Sequence, residues 1–358
     1  MVTVAKKTMV VDCDTHFWQP FELWEHYLPA KYKDKINTYL TPTDPTIKEI
    51  QAKVAPFREI KGGDDPVERL KWMDAEGIYA NIIYAGAGLV TYLPDPDAVS
   101  AACRALNRWA ADFAKRAPDR LLPCMVLPMR YPEHALEELR FATKDLGMRA
   151  VFAAPTPAEE RRWSDPALDP LWGAMQDAGV VMTFHEFSRA PSGNVVARET
   201  YRDSYPLMYL CGHTVEAQLC VMDLIFGGVL ERFPRLNFGF VEAHVAWLPG
   251  WLALMDSLWP KTSSFFTQMK GTGGLSMSPT NFFRRQCFIV AFPDDVWVEE
   301  NVKYIGENNV AVCTDYPHPQ TRYNLLKQWD EHQPQLSLTV RRKVLGENAA
   351  RFFKIKGA

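Results

Sequence analysis

"VVDCDTHFWQP", residues 10–20, begins apolar and turns polar at its end, with Asp12, Asp14 and His16 on alternate residues. Alternate side chains of an extended strand share a face. The run therefore predicts a strand over 9–14 with Asp12, Asp14 and His16 on its inward face and Cys13 and Thr15 turned toward helices. A metal ion where that face ends would explain the Asp14–His16 pair, with Asp12 one step deeper.

The same kind of short apolar run recurs seven more times along the chain. The candidates are 78–86 (IYANIIYAG), 120–129 (RLLPCMVLPM), 148–155 (MRAVFAAP), 180–186 (VVMTFHE), 236–244 (LNFGFVEAH), 287–292 (CFIVAF) and 309–316 (NVAVCTDY). Runs rich in Val, Ile and Phe fit strands covered on both faces, and the chain between them is long enough for helical crossovers. Eight alternating units predict an α/β fold, a (β/α)8 TIM-like barrel. An open doubly wound sheet is the alternative, disfavoured because no Gly-x-Gly-x-x-Gly follows the first strand. The extra length falls in insertions at about 18–66 and 257–286, so residues 1–358 read as one barrel domain with lids.

Composition narrows the class. The 358 residues are 47% hydrophobic and 23% charged, with a formal net charge of −3, as in ordinary globular proteins. No basic block suggests nucleic-acid binding. No apolar run has the length of a signal peptide or a membrane span, so a cytoplasmic protein without a membrane partner is expected. The seven cysteines (13, 103, 124, 211, 220, 287 and 313) are scattered without a Cys-x-x-Cys, and read as buried reduced thiols.

In such a barrel the site forms at the C-terminal ends of the strands. Three of those ends carry metal-capable side chains: Asp14 and His16, then His185, then Asp315 in "VCTDYPHP". Two imidazoles and two carboxylates at ~2.0–2.2 Å suit Zn²⁺, Fe²⁺ or Mn²⁺. Further polar residues converge on the same rim. Strand six ends "VEAH", placing Glu242 and His244 on one face, Glu186 follows His185, His213 lies in "CGHTVEA", and His318 follows Asp315. His26, His134 and His332 read as surface residues. Phe17, Trp18, Tyr84, Phe187 and Trp247 could line a pocket for an apolar or ring-bearing group, or simply belong to the core.

At these residues the chain resembles the amidohydrolase-related branch of the amidohydrolase superfamily, which includes aminocarboxymuconate semialdehyde decarboxylase and the resorcylate decarboxylases. The resemblance runs from "DCDTHFWQP" through "GGVLERFPRLNFGFVEAHVAWLPGWLALMD" and "CTDYPHP" to "LGENAARFF". It implies a distorted barrel, a divalent ion held at Asp14, His16, His185 and Asp315, and a homodimer. Two departures stand out. Asp14 occupies a ligand position that is histidine in many members, which should make a bound water less acidic. The family decarboxylases place a proton-donating histidine six residues before the "WLP" proline, where this chain has Ala243, with His244 one residue later.

The first expectation is a hydrolase: one or two divalent ions activate water, and Asp315 or a nearby histidine takes its proton to cleave an acyl bond of a small carboxylic acid derivative. Glu242, His213 and His244 are further catalytic candidates, and His244 a ligand for a second ion. Phe17, Trp18, Glu186, Arg189 and His318 are candidate substrate contacts. The alternative is nonoxidative decarboxylation of an aromatic or unsaturated acid, its carboxylate gripped by Arg58 or Arg189. A metal-free binding barrel is a third reading.

Overall fold

The computed structural model describes residues 8–40, 48, 52, 55–86, 90–91, 93–157, 161–186, 201, 204–266 and 275–356. Its eight strands are β1 Val11–Phe17, β2 Ala80–Ala85, β3 Leu121–Val126, β4 Ala150–Ala153, β5 Val181–His185, β6 Asn237–Val241, β7 Cys287–Ala291 and β8 Val310–Val312. Each pairs in parallel with the next, and β1 pairs with β8, so the sheet closes into a barrel. Helices Pro66–Glu76, Pro96–Ala114, Pro132–Lys144, Asp169–Ala178, Glu216–Phe226, Leu248–Phe266 and Val298–Ile305 are the crossovers.

Local signals set several helix ends. Asp65 accepts hydrogen bonds from the Val67 and Glu68 amides and Asp95 from those of Asp97 and Ala98, each followed by proline in the first turn. That pairing satisfies amides a helix start leaves open and pre-sets the backbone. Gly77 (φ 73°) and Gly179 (φ 63°) end their helices in the left-handed conformation, which glycine adopts without steric penalty.

The barrel interior is filled by Ile82, Tyr84, Cys124, Phe152, Val181, Val241, Phe288, Val290, Ala311 and Cys313, continuous with Phe352 and Phe353 of the last helix. Phe288 lies 4.4 Å from the Phe352 ring. A Cβ on Gly239 would come within 2.4 Å of the Phe288 ring, so β6 is left without a side chain there. Outside the strands, Ile83, Met125, Val151, Met182, Phe238 and Ile289 pack against the helices. Each fully buried side chain of this kind contributes about 1.5–3 kcal/mol.

One expectation needs correction. The β1–β2 register slips between Asp12 and Thr15, and an extra residue reverses the in–out alternation. Cys13 therefore belongs to the interior cluster, while Asp12 accepts hydrogen bonds from the Thr314 amide (2.9 Å) and hydroxyl (2.5 Å). Only Asp14 and His16 reach the mouth. Of the second insertion, 257–266 continues the helix Leu248–Phe266, and Pro279–Gln286 is a further helix of the β6–β7 crossover. No helix among the described residues is long and apolar enough to cross a membrane.

Candidate metal centre

The seam between β1 and the chain after β8 builds the floor of the site. The Asp315 amide donates to the Asp14 carbonyl (2.9 Å) and the His16 amide to the Tyr316 carbonyl (2.7 Å). Arg69, fully buried, donates Nε–H to the Gly62 carbonyl (2.5 Å) and Nη2–H to the His16 carbonyl, and lies 4.8 Å above the Tyr316 ring. His16 is thus fixed through its own main chain.

On this floor four side chains converge. His16 Nε2 lies 3.1 Å from Asp14 Oδ1 and 3.2 Å from Asp315 Oδ1, and His185 Nε2 is 3.3 Å from Asp14 Oδ1. Both oxygens of Asp14 and of Asp315, together with the two imidazole nitrogens, are buried without a hydrogen-bond partner. Such atoms are expensive to bury unless something neutralises them. Two donors each ~2.1 Å from one ion and about 90–109° apart lie about 3.0–3.4 Å from each other, which is the spacing seen. His185 Nδ1–H donates to the Glu186 carbonyl (2.8 Å), turning the Nε2 lone pair inward, as ligating histidines do. The residues fit a divalent ion.

A second buried group adjoins the first. Glu242 Oε2 is 3.2 Å from His185 Nε2 and its Oε1 is 3.1 Å from His213 Nε2, with Glu186 Oε2 3.7 Å from the same nitrogen. Burial opposes charge on His185, but Asp14 and Glu242 raise its pKa to about 10. Burial likewise opposes charge on His213, and Glu242 and Glu186 raise it to about 9. Without a cation, the cluster gathers protons instead. Three residues in this neighbourhood sit at positive φ: Glu242 (52°), His244 (52°) and Asp315 (62°). Left-handed backbone costs a non-glycine residue on the order of 1–3 kcal/mol, and such strain concentrates at functional sites.

The remaining candidates separate. His318 stacks on His16 with centroids 3.9 Å apart, and its Nδ1 comes within 2.7 Å of Asp315 Oδ1. Trp18 lies 5.3 Å from the His318 ring, and Tyr84 faces His185 at 5.1 Å. Phe17 is not a pocket residue: it is fully buried and packs outward on Trp109 and Phe113. The Trp247 indole N–H donates to the Ala243 and His244 carbonyls. His244 does not join either donor group. Because Glu242 takes a left-handed backbone, strand alternation ends at Val241 and His244 turns to Asp295, Nδ1 to Oδ1 2.7 Å. Arg58 is exposed, its guanidinium 5.9 Å from the Trp18 ring. Phe187 and Arg189 lie outside the described residues. His26 and His332 are exposed; His134 is half-buried and bonds Ser100.

Sequence reasoning missed Arg69 and Asp295. In "VERLKWMDAE" an arginine reads as part of a solvated helix face, and nothing local marks it as buried. Asp295 could have been found by its place just beyond the C-terminal end of β7, the rim where barrel sites form.

A closed parallel barrel bearing a buried two-histidine, two-carboxylate group at its mouth defines a metal-dependent barrel enzyme. The amidohydrolase family model (Amidohydro_2) matches residues 11–355, and the chain belongs to that family, whose members are enzymes of the amidohydrolase superfamily. Gamma-resorcylate decarboxylase of Rhizobium sp. (strain MTP-10005) is 27% identical over 308 residues, covering 81% of this chain and 87% of that protein. The 2-amino-3-carboxymuconate-6-semialdehyde decarboxylase of Dictyostelium discoideum is 24% identical over 309 residues, 83% and 79% of the two chains. The crystal structure of 5-carboxyvanillate decarboxylase from Novosphingobium aromaticivorans DSM 12444, complexed with manganese and 4-hydroxy-3-methoxy-5-nitrobenzoic acid, shares the fold. It superposes with a TM-score of 0.73 at 19% identity, covering 97% of this chain and 96% of that one. These matches correct the hydrolase expectation: the relatives aligned over four-fifths of the chain are decarboxylases, and none of the three is a hydrolase.

Proposed function

We propose that the protein is a metal-dependent nonoxidative decarboxylase of an aromatic or unsaturated carboxylic acid. One observation carries the reading: a buried donor group short of hydrogen bonds at the barrel mouth, in a chain whose aligned relatives are decarboxylases. Asp14, His16, His185 and Asp315 would hold the ion. A bound divalent ion, manganese or a similar first-row metal, supplies electrostatic stabilisation for the substrate carboxylate and the charge developing beside it.

The protein's own groups must do the rest. Asp14 and Asp315 cancel the ion's charge, so a carboxylate substrate needs another cation, and Arg58 beside Trp18 is the candidate at the mouth. Trp18 offers a flat wall for a ring, while Tyr84, fully buried, packs behind His185. When CO2 leaves, the electron pair of the broken C–C bond must end in a C–H bond, so a proton has to reach that carbon. Ala243 cannot provide it. His318, on the solvent side of His16 and within 2.7 Å of Asp315, is the imidazole we assign to that transfer.

The test is incubation of manganese-loaded protein in D2O with hydroxylated benzoic acids and unsaturated diacids. Release of CO2 with one deuterium at the vacated carbon is expected. His318→Gln should lower kcat by about 10²–10⁴-fold with metal content unchanged; full activity in that variant would remove His318 from the mechanism. A single domain, a homodimer and a cytoplasmic location complete the proposal. The exposed Leu207, Leu210, Leu219 and Leu254 support a subunit contact, which mass measurement in solution tests.

A further inference from the structure

Just beyond the ends of β6 and β7 stands a histidine–aspartate pair that the proposed reaction does not use. His244 Nδ1 lies 2.7 Å from Asp295 Oδ1. We propose, resting on the decarboxylase reading, that His244 takes the proton of a substrate hydroxyl para to the departing carboxylate, and that Asp295 is its positioning residue. The acid is then a para-hydroxylated benzoic acid.

Pairing sets the tautomer. An ionised carboxylate only accepts, so the shared proton sits on Nδ1, and Nε2 on the opposite side of the neutral ring keeps a lone pair. A group that meets Nε2 must bring a hydrogen, as a phenol does. Exposure fits this division: the Asp295 side chain is 9% exposed and that of His244 33%. The acid is enclosed while the imidazole is open to a ligand, the arrangement of a base oriented by a third group.

Both partners are held in place. Asp295 Oδ2 accepts from the Phe292 amide (3.0 Å), and buried Gln333 donates to the Asp295 and Pro293 carbonyls (2.9 and 3.0 Å). The Trp247 indole donates to the Ala243 and His244 carbonyls, and Asn301 to that of Val245 (2.9 Å). His244 itself is kept at φ 52°, a conformation that persists only where the surroundings enforce it. The adjacent Asp294 pairs instead with Arg322 (3.1 Å), whose guanidinium lies 4.3 Å from the Phe292 ring centroid.

Position selects the substituent. The four donors that would hold the ion come from β1, β5 and the chain after β8. His244 stands beyond Glu242 and beyond the stack of Tyr209 on His213 (3.7 Å), with the Tyr209 ring 6.2 Å from its own. In an acid held by its carboxylate at the ion, an ortho oxygen stays beside the metal donors and a para oxygen lies at the far end of the ring.

The chemistry requires that oxygen. Its proton moves to Nε2, Asp295 balances the imidazolium, and the phenolate feeds electron density to the carbon that bears the carboxylate. That carbon takes its proton from His318, giving a cyclohexadienone. The C–C bond then breaks, CO2 leaves, the electron pair restores the aromatic phenolate, and Nε2 returns the proton to oxygen. A meta hydroxyl is not conjugated with that carbon and gains nothing from the base.

The test is a titration of manganese-loaded protein with 4-hydroxybenzoate and with 3-hydroxybenzoate, following affinity and the ultraviolet band of the bound acid. The 4-hydroxy acid should bind about 10-fold tighter, with its band moved to that of the phenolate. His244→Asn, which suits a left-handed backbone but is shorter, should erase the preference and the shift with manganese content unchanged. Asp295→Asn should lose the phenolate band while 3-hydroxybenzoate still binds, a signature that a purely structural aspartate would not give. Equal affinities without a shift, binding of neither acid, or a preference and shift that persist in both variants would overturn the assignment. The titration needs no turnover. A phenolate-shifted acid that releases no CO2 supports the His244 contact and counts against the reaction, whereas CO2 release without any para preference overturns the role of His244 alone.

Discussion

His185 meets Asp14 and Glu242 through Nε2 and the Glu186 carbonyl through Nδ1, so its removal should be felt first as lost metal. His185→Ala and His16→Ala are each expected to leave well under one equivalent of metal while the barrel still melts cooperatively. Retention of a full equivalent in both variants would mean the ion is held elsewhere. Asp12 makes a separate prediction. Burial raises its pKa from 3.8 to about 7 despite the bonds from Thr314. A raised folded pKa favours the protonated form, so its stabilising contribution is complete below about pH 4 and is lost as pH rises through 7, by at most about 4 kcal/mol. Asp12→Asn should flatten that loss in metal-loaded protein. Parallel stability curves for the two proteins between pH 4 and 7 would refute it. The same residue marks where sequence reading failed. Alternation alone puts Asp12 beside Asp14; the slipped register that separates them depends on pairing with β2, which no local pattern encodes. His244 was misplaced for a related reason, since the left-handed turn at Glu242 ends the alternation two residues early.

Among the elements, the helix Pro66–Glu76 does the least expected work. Its Arg69 ties the turn Lys61–Gly63 to the end of β1. Arg69→Met would leave the Gly62 and His16 carbonyls without this donor, and a loss on the order of 2–4 kcal/mol is expected. Because His16 is a candidate ligand, manganese affinity should weaken as well. A variant that melts earlier but binds manganese as before would show Arg69 to be structural only. Strand identity was legible, because short Val-, Ile- and Phe-rich runs between long amphipathic segments leave few alternatives. Strand ends were not. β8 stops at Val312 rather than 316, since the backbone after it turns to pair with β1 and sets Asp315 in the left-handed region.

For the whole molecule, closure of the barrel explains why residues as far apart as Asp14 and Asp315 meet, and that much followed from counting eight alternating units. The chemistry did not follow from the same count. A two-histidine, two-carboxylate mouth serves water activation and decarboxylation alike, and the proposal between them leans on the aligned relatives, which are decarboxylases. The fold also fixes thiol reactivity. Six cysteines are buried and Cys211 alone is half-buried, so a thiol reagent should modify one residue per native chain; two or more fast-reacting thiols would contradict this packing. The most direct test of the central claim is CO2 release from hydroxylated benzoic and unsaturated acids by manganese-loaded protein, before and after chelation. The account predicts turnover that chelation abolishes, manganese restores and His16→Ala lacks. Metal-replete protein that releases no CO2 from any of these acids, or release that survives chelation, would contradict it.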